Sequence, residues 1–192
     1  MDYHSLKANA YEYICHHLKE SRLKHTINVA AEAVKLADRY DVCREKAELA
    51  ALLHDCAKCL SIDEMNAYVE KLKLPASYAN NSNLSHAKIG EHIARNMGIT
   101  DVDILNSIAF HTTGRAGMSM LEKIIFIADA IEPRRSYQDV DEIRSLAYEA
   151  IDRACAASLN KTIDFVRSKE EYLDEDTVSA LEDLKVKMKE KK

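Results

Sequence analysis

The 192-residue sequence predicts an all-α fold, a single-domain helical bundle, from three observations. It holds only 4 glycines and 2 prolines, too little turn chemistry for many short strands. Apolar residues recur at spacings of three and four over most of its length, as one buried face of a helix requires. Hydroxyl and carboxylate residues stand where such segments open, in the pattern that caps a helix N-terminus. The chain has no repeat, low-complexity linker or composition shift that would split it. One domain over 1–192 is expected, with a core at about 20–145 and a helical extension at about 146–192.

Residues 5–19 predict a first helix and KHTINVAAEAVKLADRY (24–40) a second, with alanine-rich apolar faces. A third is expected from about Arg44 to Lys58. Ser61-Ile-Asp-Glu64 reads as a capping box that opens a fourth. Pro75 and the polar stretch 80–83 mark a loop, after which Ser85 is expected to cap SHAKIGEHIARNM and Gly98 to end it. Thr100-Asp-Val-Asp103 reads as another capping box, opening DVDILNSIAFH. The connection TTGRAG (112–117) leads to MLEKIIFIADAIE, halted by Pro133. One long helix is expected from about Val140 to Val166. A charged segment follows, and KVKMKEKK reads as a solvated, frayed tail.

Composition narrows the function classes. Net charge is −5 and the Lys and Arg residues are scattered, so the footprint of a protein that tracks a nucleic-acid polymer is missing. No apolar run reaches the length of a membrane span, and the N-terminus lacks a charged segment followed by an apolar one, so no membrane association and a cytoplasmic location are expected. Five irregularly spaced cysteines do not make a disulfide framework. Cys56 and Cys59 form a C-x-x-C pair, but Cys15, Cys43 and Cys155 supply no second pair for a tetrahedral zinc site.

The chemistry concentrates at ALLHDCAKC, where His54 and Asp55 follow an apolar run. A buried ionised carboxylate is costly unless it is paired or bound to a metal, and an adjacent imidazole is a ready ligand. Helical periodicity supplies partners. His86 lines up with Ile89, Ile93 and Met97, His111 with Ile104 and Ile108, and His25 with Val29 and Ala33. Asp129 follows Leu121 and Ile125 inside IIFIADAI. Any one of these residues alone reads more readily as a hydrogen-bonded core residue than as a ligand, but six inward donors on successive helices predict a central site. His4, His16, His17 and His92 fall on polar or terminal positions and read as solvated.

The order His25, His54-Asp55, His86, His111, Asp129 resembles the ligand set of the HD-domain metal phosphohydrolases, and HDCAK is similar to their His-Asp-x-x-Lys signature. AFHTTGRAGMSMLEKIIFIADAIEPRRS (109–136) resembles one branch closely, the YqeK-type symmetrical bis(5'-nucleosyl)-tetraphosphatases. The resemblance implies a helical HD-domain bundle around two metal ions. His25, His54, Asp55 and Asp129 would hold one ion and His86 and His111 a second, with Asp55 bridging. Imidazole and carboxylate donors suit iron, manganese or zinc, and the six-ligand form implies iron. Diadenosine tetraphosphate would be cut to two ADP by a metal-bridging hydroxide attacking phosphorus.

In that scheme Asp55 and Lys58 are the catalytic candidates. Lys58, four residues after His54, is placed to neutralise charge in the transition state, or else simply ends a helix. Arg22, Thr112 and Arg135 are candidate phosphate binders. Asn83, Leu84, Ser85 and His86, at a helix start, are expected to offer backbone N–H groups to the substrate. Lys169 to Glu175 (KEEYLDE) departs from the family pattern, being more acidic than a segment closing over a nucleotide. The resemblance also implies a homodimer. The competing readings are an HD phosphohydrolase acting on a nucleoside mono- or triphosphate or a cyclic dinucleotide, and a non-catalytic signalling module stabilised by metal.

Overall fold

The computed structural model describes residues 2–190, which form ten α-helices and no strand. They are α1 (Tyr3–His17), α2 (Glu20–Arg39), α3 (Arg44–Leu53), α4 (Ile62–Lys71), α5 (Ser82–Asn96), α6 (Val102–Ala109), α7 (Met120–Ile131), α8 (Val140–Glu149), α9 (Ile151–Ser168) and α10 (Glu175–Glu190). The all-α expectation holds.

Helix α7 is the axis of the bundle. Every residue from Leu121 to Ala128 is buried, so the helix is apolar almost all round and must be wrapped by others. It packs against α2, α3, α6, α8 and α9. Its Ile124, Ile125 and Ile127 are fully enclosed, each worth roughly 1.5–3 kcal/mol of burial. Its one cation among these, Lys123, is neutralised by Asp152 of α9 at 2.6 Å, as a buried charge must be.

Several helix ends follow local chemistry. Ser61 and Glu64 form a full capping box at the start of α4. At the end of α5 Gly98 takes a φ of 95°, and the amides of Gly98 and Ile99 bond back to Arg95 and Ala94, a Schellman stop. Two caps differ from expectation, and one was not expected at all. Asn81, not Ser85, caps α5, accepting from the Leu84 amide; Ser85 lies inside the first turn, its hydroxyl donating to the Asn81 carbonyl. Asp101, not Thr100, caps α6. Ser119 and Glu122 form a capping box at α7 that the sequence reading passed over.

Larger departures have tertiary causes. The third helix stops at Leu53, and Cys56–Cys59 turns as a separate 3-10 segment. The expected long helix breaks at Ala150, whose φ of −155° and ψ of 82° lie outside the helical region. There Tyr40 inserts its hydroxyl into the ladder: it donates to the Ala147 carbonyl at 2.7 Å and accepts from the Ile151 amide at 3.1 Å, the pair a continuous helix would join directly. Helix α10 runs on through 185–190, whose residues are exposed or half-buried as a solvated tail requires, while 191–192 lie outside the described residues. What the charged segment hid is the part before it: Thr177, Ala180, Leu181 and Leu184 of α10 are buried against α9.

Candidate metal centre

The bundle brings all six inward donors to one place. His25 lies early in α2, His54 ends α3, Asp55 begins the 3-10 turn, His86 sits in the second turn of α5, and Asp129 is in the last turn of α7. His111 stands two residues beyond α6, which closes at Phe110, and not within the helix as its spacing suggested. His54 is fully buried, and His25, Asp55, His86 and His111 nearly so.

Each imidazole is fixed through Nδ1. His54 faces the Ala51 carbonyl at 2.6 Å, His86 that of Ser82 at 2.8 Å, and His111 that of Ile108 at 2.8 Å. A carbonyl only accepts, so these three rings carry their proton on Nδ1 and present a bare Nε2. His25 Nδ1 faces Glu132 Oε1 at 3.2 Å, and Glu132 is itself held by Asn28 and by the Arg134 amide. This is the arrangement that prepares imidazoles as metal ligands.

The Nε2 atoms converge on two carboxylates. His86 and His111 stand 3.2 and 3.7 Å from Asp55 Oδ1, His54 and His25 3.4 and 3.7 Å from Asp55 Oδ2, and His25 3.0 Å from Asp129 Oδ1. His86 and His111 face each other Nε2 to Nε2 at 3.0 Å. The Nε2 atoms of His25 and His54 are buried with no hydrogen-bond partner. Ligand atoms of His25, His54 and Asp55 lie within 4.8 Å of one another, as do those of Asp55, His86 and His111, and those of His54, His111 and Asp129. Bare nitrogens facing carboxylate oxygens and each other need positive charge between them, so the donor set fits metal ions; Asp55 belongs to two of the three groups.

Cations already lean on the carboxylates. Arg22 Nη1 donates to Asp55 Oδ2 at 2.8 Å, and Arg135 donates to both the side chain and the backbone carbonyl of Asp129. Burial would push both acids up. For Asp55 the surrounding His54, His111 and His86 overcome it, and for Asp129 His25, His54 and Arg135 do, so both carboxyls stay well below the usual range. Burial drives His86 down to about 4, keeping its ring neutral as a ligand must be. Burial lowers His54 too, but Asp55 and Asp129 outweigh it and hold it above its ordinary value.

Lys58 sits on the 3-10 turn, its ammonium 3.5 Å from the Ser82 carbonyl. Burial lowers its pKa, and Asp55, Asp129, Arg22 and Arg135 all act on it, so it faces the centre although it is not on the helix of His54. Thr112 Oγ1 lies 3.2 Å from His111 Nε2 and 3.4 Å from His86 Nε2. Arg22 and Arg135 line a cavity of about 250 Å³ with Ser21, His25, Glu132 and Arg134. Asn83, Leu84 and Thr112 line another of about 190 Å³. Ser85 is buried beside Met65 and, with Leu84, has its amide engaged by Asn81, so this helix start offers fewer free N–H groups than its sequence suggested.

One residue of the site, Glu132, escaped the sequence reading. Glu132 stands three residues after Asp129 as the cap that closes α7, and its place beside Asp129 in the ADAIEP stretch was a signal available in the sequence. The acidic segment 169–175 lies against the same cavity as Asn83 and Thr112, through Glu171, Tyr172, Leu173 and Asp174. Its acidity is partly spent internally: Asp174 accepts from the Tyr78 hydroxyl at 2.8 Å and from the Asp176 amide at the start of α10.

Comparison with known proteins agrees with this geometry. The HD domain family model matches residues 22–134, the span that carries all six donors. The chain is 40% identical over 162 residues to the symmetrical bis(5'-nucleosyl)-tetraphosphatase of Bacillus subtilis, covering 83% of this chain and 87% of that one. It is 40% identical over 185 residues to the protein of the same name from Halalkalibacterium halodurans, covering 95% and 99%. The crystal structure of a predicted HD superfamily hydrolase involved in NAD metabolism from Clostridium acetobutylicum superimposes with a TM-score of 0.89 at 40% identity, covering 94% of this chain and 97% of that one. The chain belongs to the HD domain family, in the branch of the symmetrical bis(5'-nucleosyl)-tetraphosphatases.

Proposed function

We propose that this protein hydrolyses diadenosine tetraphosphate at its centre, one water and one substrate giving two ADP. The oxygen of water joins one of the two inner phosphorus atoms, and the oxygen between them leaves with the other ADP. The observation that carries the reading is the convergence of bare Nε2 atoms on Asp55 and Asp129. His25, His54, Asp55 and Asp129 would hold one ion, and His86, His111 and Asp55 a second. Two such cations acidify water and withdraw charge from phosphoryl oxygens. The donor types suit iron, manganese or zinc, and the family resemblance favours iron.

The protein's own groups do the positioning. Arg22 and Arg135 flank the centre beside Asp55 and Asp129, where guanidinium forks can take phosphate oxygens. Lys58 faces the same space and offsets the charge that builds on the leaving ADP. The Thr112 hydroxyl offers a donor next to His86 and His111. Asn83 and Leu84 line the adjoining cavity that receives one nucleoside half. Ser85 and His86 follow on the same helix, and Ser85 supports its first turn.

The resemblance supports a homodimer, and we infer that it works in the cytoplasm. Among the described residues no helix is long and apolar enough to cross a membrane. The test is chromatography of the products made by protein purified without oxygen and loaded with iron. ADP alone is expected. ATP with AMP would overturn the symmetrical reading.

A further inference from the structure

Symmetrical cleavage presents a demand that one nucleoside cavity does not meet: the substrate carries two identical adenosines, one on each side of the reacting phosphorus. Two grooves leave the centre. One opens beside His86 and His111, lined by Asn83, Leu84 and Thr112. The other, about 740 Å³, opens beside Asp129, between the end of α7 and α9, and is lined by Ala130, Arg135, Tyr137, Gln138, Lys161 and Phe165 among others. Thr162 and Phe165 wall both grooves, so one ridge of α9 divides them.

We propose that the groove between α7 and α9 binds the second adenosine of the substrate, its base stacked on Tyr137 and Phe165. This rests on the activity proposed above. Phe165 is 59% exposed and Tyr137 37% exposed, a pair of aromatic rings left to solvent beside the centre. Aromatic faces of this kind take any nucleobase. The mouth is cationic where phosphates would leave the centre. Arg135 belongs to both this groove and the cavity at His25, and Lys161, steered by Asp139 at 2.7 Å, stands further along. Gln138 supplies amide donors and an acceptor for a base edge. The Lys169 ammonium lies 5.9 Å from the Phe165 ring centroid, a loose contact that a stacked base displaces. At about 740 Å³ the groove falls in the range of small-molecule sites.

The test compares iron-loaded wild type, Tyr137→Leu, Tyr137→Phe and Phe165→Leu on two substrates: diadenosine tetraphosphate, and adenosine tetraphosphate, which has one nucleoside. Tyr137→Leu should raise KM for the two-nucleoside substrate about tenfold, the loss of one stacked base, with little change in kcat. Its KM for adenosine tetraphosphate should stay at the wild-type value. Tyr137→Phe, which loses the hydroxyl bond to the Ala130 carbonyl but keeps the ring, should match wild type on both. Phe165→Leu, which touches both grooves, should raise KM for both. Calorimetric titration with ADP gives an independent reading: about two equivalents per chain in wild type and about one in Tyr137→Leu. Unchanged KM and stoichiometry in Tyr137→Leu would overturn the proposal, as would an equal KM rise on both substrates or a change in oligomeric state alone. Wild type that binds two ADP but fails to cleave the dinucleotide would instead overturn the activity and leave the groove assignment standing.

Discussion

His86 and His111 point Nε2 at Nε2 across 3.0 Å, while each ring gives its Nδ1 proton to a backbone carbonyl. Two lone pairs at that distance repel unless a proton or a metal ion lies between them. The nearest other groups are Asp55 Oδ1, which only accepts, and the Thr112 hydroxyl, which has one proton to give. A cation resolves the conflict with all four groups at once, which is why this pair, more than the buried His54 and Asp55, argues for a second ion.

Glu132 is expected to tune the ion held by His25. Its carboxylate fixes the His25 ring, and Asn28 and the Arg134 amide fix Glu132 in turn. Glu132→Gln keeps the shape and removes the charge, so metal affinity should fall roughly 10- to 100-fold. Titration against a competing chelator measures it. An affinity equal to wild type would show that Glu132 serves packing alone.

Lys58 should separate chemistry from metal binding. It faces the centre without touching a donor nitrogen, so Lys58→Ala should retain both metal ions and lower kcat on the order of a hundredfold. Metal analysis beside steady-state kinetics checks both halves. Unchanged turnover would leave Lys58 as a residue of the 3-10 turn and nothing more.

Away from the centre, Asp101 predicts a pH-dependent contribution to stability. It caps α6 by accepting from the Asp103 and Ile104 amides and pairs with Lys46 at 2.7 Å. Burial raises its pKa somewhat, but Lys46 and the two amides outweigh this and hold it below its ordinary value. A depressed folded-state pKa means the contribution is complete above the unfolded value near ~3.9 and fades as pH falls through the folded one. Asp101→Ala should therefore cost about 0.5–2 kcal/mol at pH 7 and progressively less below about pH 4. Denaturant unfolding at both pH values measures the difference, and a gap that does not close in acid would contradict it.

How much of this was legible in the sequence depends on the range of the interaction. The Ser61–Glu64 cap and the Gly98 stop are settled within a few residues, and both could be read directly. The break at Ala150 could not, because the agent is Tyr40, more than a hundred residues away, and no glycine or proline marks the spot. Helix α10 carried a readable signal in Thr177, Ala180, Leu181 and Leu184, but the acidic residues among them and the lysines that follow masked the apolar spacing. The six inward donors were legible because three- and four-residue spacing survives even where the helix ends early, as it does before His111. Which groove each half of a substrate enters was not, since α5, α7 and α9 meet only in the folded chain.

The central claim is that six side chains hold two ions, and metal analysis of the reconstituted protein tests it most directly. Wild type should carry about two equivalents per chain. His86→Ala and His111→Ala should each carry about one, with the helical circular dichroism of wild type, because His25, His54, Asp55 and Asp129 still surround the other ion. Asp55→Ala should lose both, since that carboxylate faces both groups of nitrogens. His111→Ala retaining two equivalents, or wild type binding one, would contradict the account.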